Sequence, residues 1–230
     1  LAGIGCFVDS CRTCPQCAAG EEQYCEGGGM VGTYNSKDKQ GNPTYGGYSN
    51  LITVDELYTL KVSPKLDLAG TAPLLCAGIT TWSPLREWKV GKGHKLGVVG
   101  LGGLGHMAVK LAVSLGAQVT ILSTSPSKEK DAKELGAHHF AVTKDPEQFK
   151  ALKNTFDFII DTVSAQHDIA SYLQLLKVDG TMILLGIPPE PSLIPSGAIP
   201  SRSRSGSISG WMRSEAFTMY SGAFAIKAST

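Results

Sequence analysis

The 230-residue sequence predicts an α/β protein: a doubly wound parallel sheet, preceded by a smaller β-rich region with a metal lobe. Three observations predict it. Between residues 95 and 185, short apolar runs alternate with helical stretches. Runs apolar throughout suit strands of a parallel sheet covered on both faces. A Gly100-x-Gly102-x-x-Gly105 turn lies between the first of those strands and the helix after it. Five of the six cysteines lie before residue 26.

The elements follow in order. The first third reads as turns and short strands, with loosely alternating residues over 48–54 and a branched, aromatic run over 57–62. A compact apolar strand covers 95–99. A helix over 106–115 offers Met107, Val109, Leu111, Ala112 and Leu115 to a buried face. A second strand spans 119–122, and a helix over 128–135 is closed by Gly136. Further strands are expected at 139–142, 156–160 and 181–185. After Pro188 the texture changes: residues 192–230 are rich in Ser, show no clear period, and predict an irregular tail.

Composition narrows the function. With 42% hydrophobic residues the chain can bury a core, which excludes global disorder. Net charge is +1, which gives no support to nucleic-acid binding. No apolar stretch approaches the ~20 residues of a membrane span. Six Cys are too few for a disulfide scaffold. Glycine is in excess: 27 of 230 residues, about 12%, against a usual ~7%.

Cys11, Cys14, Cys17 and Cys25 place four thiols within fifteen residues. Such a loop can wrap one metal ion, and zinc accepts four thiolates in a closed, structural site. An iron–sulfur cluster is the chemical rival, although Glu26 stands where the ferredoxin signature has Pro after its last Cys. Disulfides or plain thiols are the remaining alternative. Cys6 reads as a buried thiol on an apolar approach segment. Cys76, taken alone, reads as an ordinary buried Cys.

Gly100, Gly102 and Gly105 sit in the strand–turn–helix context that a dinucleotide fingerprint requires. Glycines let the backbone approach a pyrophosphate, and the helix N-terminus offers it free N–H groups. NAD enzymes usually place an acid ~20 residues beyond the fingerprint. Here Ser123, Thr124, Ser125, Pro126, Ser127 and Lys128 occupy that region, with no acid before Glu129. Hydroxyls and a Lys favour NADP(H) over NAD(H), because a carboxylate would repel the 2′-phosphate. A Ser-Pro helix cap is the alternative use of Ser125 or Ser127.

The four-Cys lobe, Gly46-Gly-Tyr-Ser, Pro73-Leu-Leu-Cys76-Ala-Gly-Ile-Thr-Thr-Trp and Val98-Val-Gly-Leu-Gly-Gly-Leu-Gly-His occur in that order. From about residue 3 to about residue 189 the chain resembles the zinc-containing medium-chain alcohol dehydrogenases. Within them it is most similar to the cinnamyl-alcohol-dehydrogenase-like, NADP-dependent aldehyde reductases. The resemblance implies part of a GroES-like catalytic domain over 1–75 and a Rossmann NADP-binding domain over 76–189. The divergent tail then covers 190–230. It implies zinc-assisted hydride transfer between NADP(H) and a small primary alcohol or aldehyde, in a cytoplasmic homodimer or homotetramer. By position, Cys11, Cys14, Cys17 and Cys25 match structural zinc ligands, and Cys76 matches one ligand of a catalytic zinc. Thr80 matches a residue beside the nicotinamide. Gly100, Leu101, Gly102, Gly103, Leu104 and Gly105 match the pyrophosphate loop; Ser123, Thr124, Ser125 and Lys128 match the region that reads the 2′-phosphate.

The sequence also departs from that family. The family's two other catalytic zinc ligands, a Cys and a His within Gly-His-Glu, would lie upstream of Leu1. No His here fits that motif: Lys follows His94 and Met follows His106. The expectation is a fragment of a longer enzyme, with a catalytic zinc only in the full-length parent. From Ser196 onward the family pattern is lost, apart from an echo at 207–212; a shifted frame or altered splice would explain it. Two other readings stay open. One is a zinc-free quinone-reductase-like relative, which normally lacks the four-Cys lobe. The other is a non-catalytic dinucleotide- and zinc-binding module.

Overall fold

The computed structural model describes residues 1–189, 208–211 and 223–227. The chain forms two compact units: residues 1–79 lie in one, and the described residues from 80 onward lie in the other.

The first unit holds β1 (Ala2–Ile4), β2 (Phe7–Asp9), the short helix α1 (Pro15–Ala18), β3 (Val31–Gly32), β4 (Tyr34–Lys37), β5 (Pro43–Tyr45), β6 (Thr59–Lys61) and α2 (Leu68–Thr71). Its strands form three antiparallel pairs, β1–β6, β2–β3 and β4–β5. The strand expected over 48–54 does not form. A 3-10 turn takes Gly46–Tyr48, and Tyr48 and Leu51 are 90% and 91% exposed. Apolar alternation makes a strand only where a neighbouring strand and a core receive it. The expected strand over 57–62 is shorter for a local reason. The Asp55 carboxylate accepts the Leu57 N–H at 3.0 Å and starts a 3-10 turn over Glu56–Tyr58, leaving only β6 extended.

In the second unit, after α3 (Ala77–Glu87), the elements are β7 (Lys95–Val99), α4 (Gly103–Ser114), β8 (Gln118–Ser123), α5 (Glu129–Glu134), β9 (His139–Val142), α6 (Pro146–Ala151), β10 (Phe156–Asp161), α7 (Ile169–Leu173), β11 (Leu176–Leu184), β12 (Ile208–Trp211) and β13 (Ala223–Lys227). One sheet takes the order β12-β13-β11-β10-β7-β8-β9. The five strands β11-β10-β7-β8-β9 are parallel, as their apolar composition predicts. The chain runs outward from β7 through β8 to β9, then restarts on the other side of β7 with β10. The crevice between the carboxyl ends of β7 and β10 is therefore a topological switch point, where open α/β sheets bind ligands.

Successive residues of each central strand go to opposite faces. Leu96, Val98, Ile121, Ile160 and Ile183 join one core with Val109 and Ala112 of α4. Val99, Leu122, Ile159 and Met182 join the other with Ile169, Tyr172 and Leu173 of α7. Each fully buried large side chain contributes about 1.5–3 kcal/mol. Leu85 of the helix before β7 is fully buried in the first core.

Helix α4 begins at Gly103, three residues before the expected start, because the His106 N–H already donates to the Gly102 carbonyl at 2.8 Å. Gly136 follows α5 with φ +95°, and its N–H donates to the Lys133 carbonyl at 3.0 Å. That left-handed cap is the stop its sequence position predicts. The tail departs from expectation in part. Where irregular chain is expected, β12 and β13 form an antiparallel pair, and β13 runs antiparallel to β11. The rest of 190–230 lies outside the described residues.

Candidate metal lobe and dinucleotide turn

The metal lobe grows from the loop between β2 and β3. Pro15 starts α1, and the Cys14 sulfur caps it by accepting the Cys17 N–H at 3.5 Å. Two other sulfurs accept backbone N–H groups in the same way. Cys11 receives the Cys14 N–H, and Cys25 receives the Cys11 N–H, each at 3.3 Å. The four sulfurs lie within 4.8 Å of one another, and no disulfide joins any of the six cysteines. Four sulfurs held 2.3 Å from one zinc stand about 3.8 Å apart. The Cys11 and Cys17 sulfurs are 3.8 Å apart. Gly27 leaves the cage its room: a Cβ there would stand 2.5 Å from the Cys11 sulfur. The donor set and spacing fit zinc.

Their surroundings separate the thiols in acidity. Backbone N–H groups of Thr13 and then Cys14 pull Cys11 down to about 5, while burial pushes Cys17 up to about 11. Backbone N–H groups of Cys17 and Glu26 also lower Cys14. Four adjacent thiolates need a cation to offset their charge, and a dication supplies it.

Sequence reasoning missed what anchors this lobe. Arg12, at φ +64°, donates from Nε to Asp9 Oδ1 at 2.9 Å and from Nη1 to Asp55 Oδ2 at 2.5 Å. Lys39 pairs with the other Asp9 oxygen at 2.8 Å. Burial opposes the effect, but Lys39 and Arg12 hold Asp9 below the usual carboxylate range. The Arg12 guanidinium also lies 5.4 Å from the Tyr58 ring centre, and the Tyr58 hydroxyl meets Ser10 Oγ at 2.7 Å. The Cys17 thiol donates to that Ser10 Oγ at 3.3 Å, which links the cage to the network. Asp55 and Tyr58 lie more than thirty positions downstream, so no local spacing marks them.

Two cysteines differ from their sequence reading. Cys6 is half-buried rather than buried, and Cys76 is exposed rather than buried. Cys76 follows the 3-10 turn Ala72–Leu75 and joins no cluster of three or more His, Cys, Asp or Glu among the described residues. Thr80 is buried in α3.

The dinucleotide turn is built by contacts that exclude side chains. Gly100 has φ +84°, and its N–H donates to the Leu122 carbonyl at 2.9 Å. A Cβ on Gly105 would stand 2.3 Å from the Gly100 carbonyl oxygen. Gly102 and Gly103 differ: a Cβ on either would meet no protein atom within 4 Å. Leu101 and Leu104 pack against the core beneath. The turn is thus tight where it touches protein and open where a phosphate would lie.

At the end of β8, Ser123 Oγ accepts the Ser125 N–H at 3.2 Å. Ser125 occupies the N-cap of the 3-10 turn Pro126–Lys128, yet its hydroxyl caps no backbone N–H and meets Ser127 Oγ at 2.8 Å. Thr124 and Lys128 are exposed, and Lys128 Nζ lies 3.5 Å from Asp131 Oδ2. The Ser-Pro cap reading is therefore not what these hydroxyls do. A loose surface pair such as Lys128–Asp131 is worth little, so a phosphate can compete for the ammonium.

Comparison with known proteins gives three kinds of match. The family model "Zinc-binding dehydrogenase" matches residues 103–225. The NADP-dependent alcohol dehydrogenase C 1 of Mycolicibacterium smegmatis is 57% identical over 194 residues, 84% of this chain and 56% of that protein. Among solved structures, a cinnamyl alcohol dehydrogenase from Sorghum bicolor has a TM-score of 0.81 at 47% identity, over 86% of this chain and 57% of that one. A Helicobacter pylori homologue described as CAD complexed with NADP(H) has a TM-score of 0.78 at 44% identity, over 86% and 56%. The chain spans little more than half the length of the curated relative it matches. No helix among the described residues is long and apolar enough to cross a membrane.

Proposed function

This chain belongs to the zinc-binding dehydrogenase family, and on that footing we propose that it is the dinucleotide-binding and metal-lobe part of an NADP-dependent alcohol dehydrogenase. The whole protein passes hydride between NADP(H) and a small primary alcohol or aldehyde, with aldehyde reduction the favoured use. In the same proposal it is cytoplasmic and homodimeric or homotetrameric. Residues 1–75 belong to its catalytic domain and 76–189 to its cofactor domain. One observation carries the reading: the open glycine turn after β7 stands beside a β8 end bearing hydroxyls and Lys128 but no acid.

When bound, the dinucleotide supplies the hydride chemistry, and zinc in the lobe supplies a four-thiolate crosslink without redox change. The chain's own residues bind and orient. Backbone N–H groups at the start of α4 face the pyrophosphate, and Gly102 and Gly103 leave it space. Thr124, Ser125 and Lys128 offer donors to the 2′-phosphate, while buried Ser123, whose hydroxyl donates to the Ser125 carbonyl at 3.4 Å, shapes the turn that carries them. Thr80 is assigned to the nicotinamide end. A catalytic zinc does not fit the described residues, since Cys76 stands outside any ligand cluster and a catalytic site needs about three protein ligands.

Calorimetric titration with NADPH and NADH tests the cofactor assignment. NADPH is expected to bind at least about tenfold more tightly. Lys128→Glu is expected to cost NADPH about tenfold while leaving NADH within about twofold. Tighter binding of NADH by the unaltered chain overturns the proposal.

A further inference from the structure

Asp161, the last residue of β10, is 2% exposed, and its carboxylate faces His167 rather than water. His167 Nε2 lies 2.7 Å from Asp161 Oδ2, and His167 Nδ1 lies 2.8 Å from the Ala165 carbonyl oxygen. A carbonyl and an ionised carboxylate have no proton to give. With Asp161 ionised, this geometry suits the imidazolium, the one form in which both ring nitrogens donate. A neutral ring would aim a lone pair at one of the two oxygens.

This pair closes a loop that borders the dinucleotide turn. Asp161 is in register with Val99, the residue before Gly100. Its other oxygen accepts the Val163 N–H at 3.0 Å. Thr162 Oγ1 donates to the Val99 carbonyl at 2.7 Å. On the far side, a Cβ on Gly186 would stand 2.0 Å from the Val163 carbonyl oxygen. The loop thus lies between Gly100 and Gly186, at the switch-point crevice, with the His167–Asp161 pair as its clasp.

We propose that charged His167 is a positioning residue for dinucleotide binding: paired with Asp161, it holds the 162–167 loop against the glycine turn, and affinity for NADP(H) falls when the ring loses its proton. The ligand rests on the function proposed above; the clasp itself does not. The groups facing the ring are Asp161 from β10, and Asp168 and Tyr172 from α7; the Tyr172 ring stands edge-on at 5.8 Å. The hydrogen bond to Asp161 raises the His167 value, against burial, and Asp168 adds to it. A raised value means the clasp is fully made below the ordinary ~6.5 and opens as pH rises through the higher one.

Two readouts on the full chain test this. Amide exchange, corrected for the intrinsic pH dependence, reports protection of residues 162–167 between pH 6 and 9. NADPH titration at pH 7 and 9 reports affinity; the 2′-phosphate already carries its charge there. In the unaltered chain, protection and affinity are each expected to fall roughly tenfold. In His167→Gln, which keeps a donor but cannot titrate, both are expected to stay flat. An equal pH response in both chains, or none in the unaltered one, overturns the proposal. NADPH binding absent at every pH, with protection still falling, overturns the cofactor reading and the binding half of the proposal while the clasp stands. If the variant does not fold, NMR titration of His167 in the unaltered chain decides: a midpoint at or below ~6.5 overturns it.

Discussion

Gly105→Ala is expected to raise the NADPH dissociation constant by more than about 100-fold and to cost about 1–3 kcal/mol of stability. The new Cβ would lie 2.3 Å from the Gly100 carbonyl oxygen and 3.1 Å from its carbon. Those are backbone atoms, and neither can swing aside. Gly100 is held by its bond to Leu122 and by a left-handed φ that few side chains tolerate. Relief must come from moving α4 away from β7, which displaces the N–H groups meant for the pyrophosphate. Gly103→Ala is the control. Its Cβ meets no protein atom, so stability should change by less than about 1 kcal/mol. NADPH affinity should still fall, because the open space beside Gly103 is the space assigned to the phosphate. Fluorescence titration with thermal unfolding separates the two. Equal loss of stability in both variants would show that the turn is only a packing motif.

Gly27→Ala is expected to reduce bound zinc from about one ion per chain to near zero after dialysis, through a loss of affinity greater than about 100-fold. A Cβ at 2.5 Å from the Cys11 sulfur and 2.6 Å from its Cβ forces that ligand out of the cage. Gly27 has no left-handed φ, so the effect comes from contact, not from backbone strain. Structural zinc supplies folding energy directly, so the lobe should also become protease-sensitive. Elemental analysis of the unaltered chain fixes the baseline. Two zinc ions per chain would contradict the incomplete catalytic site, and full zinc retention in the variant would contradict the cage geometry.

What was legible in the sequence is what depends on neighbours along the chain. The Cys spacing brings four sulfurs together because one loop carries them all. The apolar runs at β7, β8 and β10 announce a sheet buried on both faces, since their single interior polar residues, Thr120 in β8 and Asp157 in β10, do not recur at every second position to mark a wet side. The glycine turn is legible because strand, turn and helix are contiguous. Other features depend on residues the fold brings from afar. Nothing local joins Arg12 to Asp55; Asp161 and His167 lie only six positions apart, but no motif or period marks them as a pair. The alternation over 48–54 misleads for the same reason: a strand needs a receiving edge, which those residues do not find. Cys76 reads as core by residue type, yet its place after a 3-10 turn leaves it exposed.

The antiparallel pairing of β13 onto β11 sets which backbone remains available for lateral association. A parallel sheet ending at β11 would offer that strand's outward N–H and C=O groups to another chain. Here Thr181, Met182, Ile183 and Leu184 are in register with Lys227, Ile226, Ala225 and Phe224, so the chain satisfies that side itself. Among the described residues, the two rims of the sheet are β12 and β9. The first is four residues long and the second also four, and such short rims offer few rungs for a ladder.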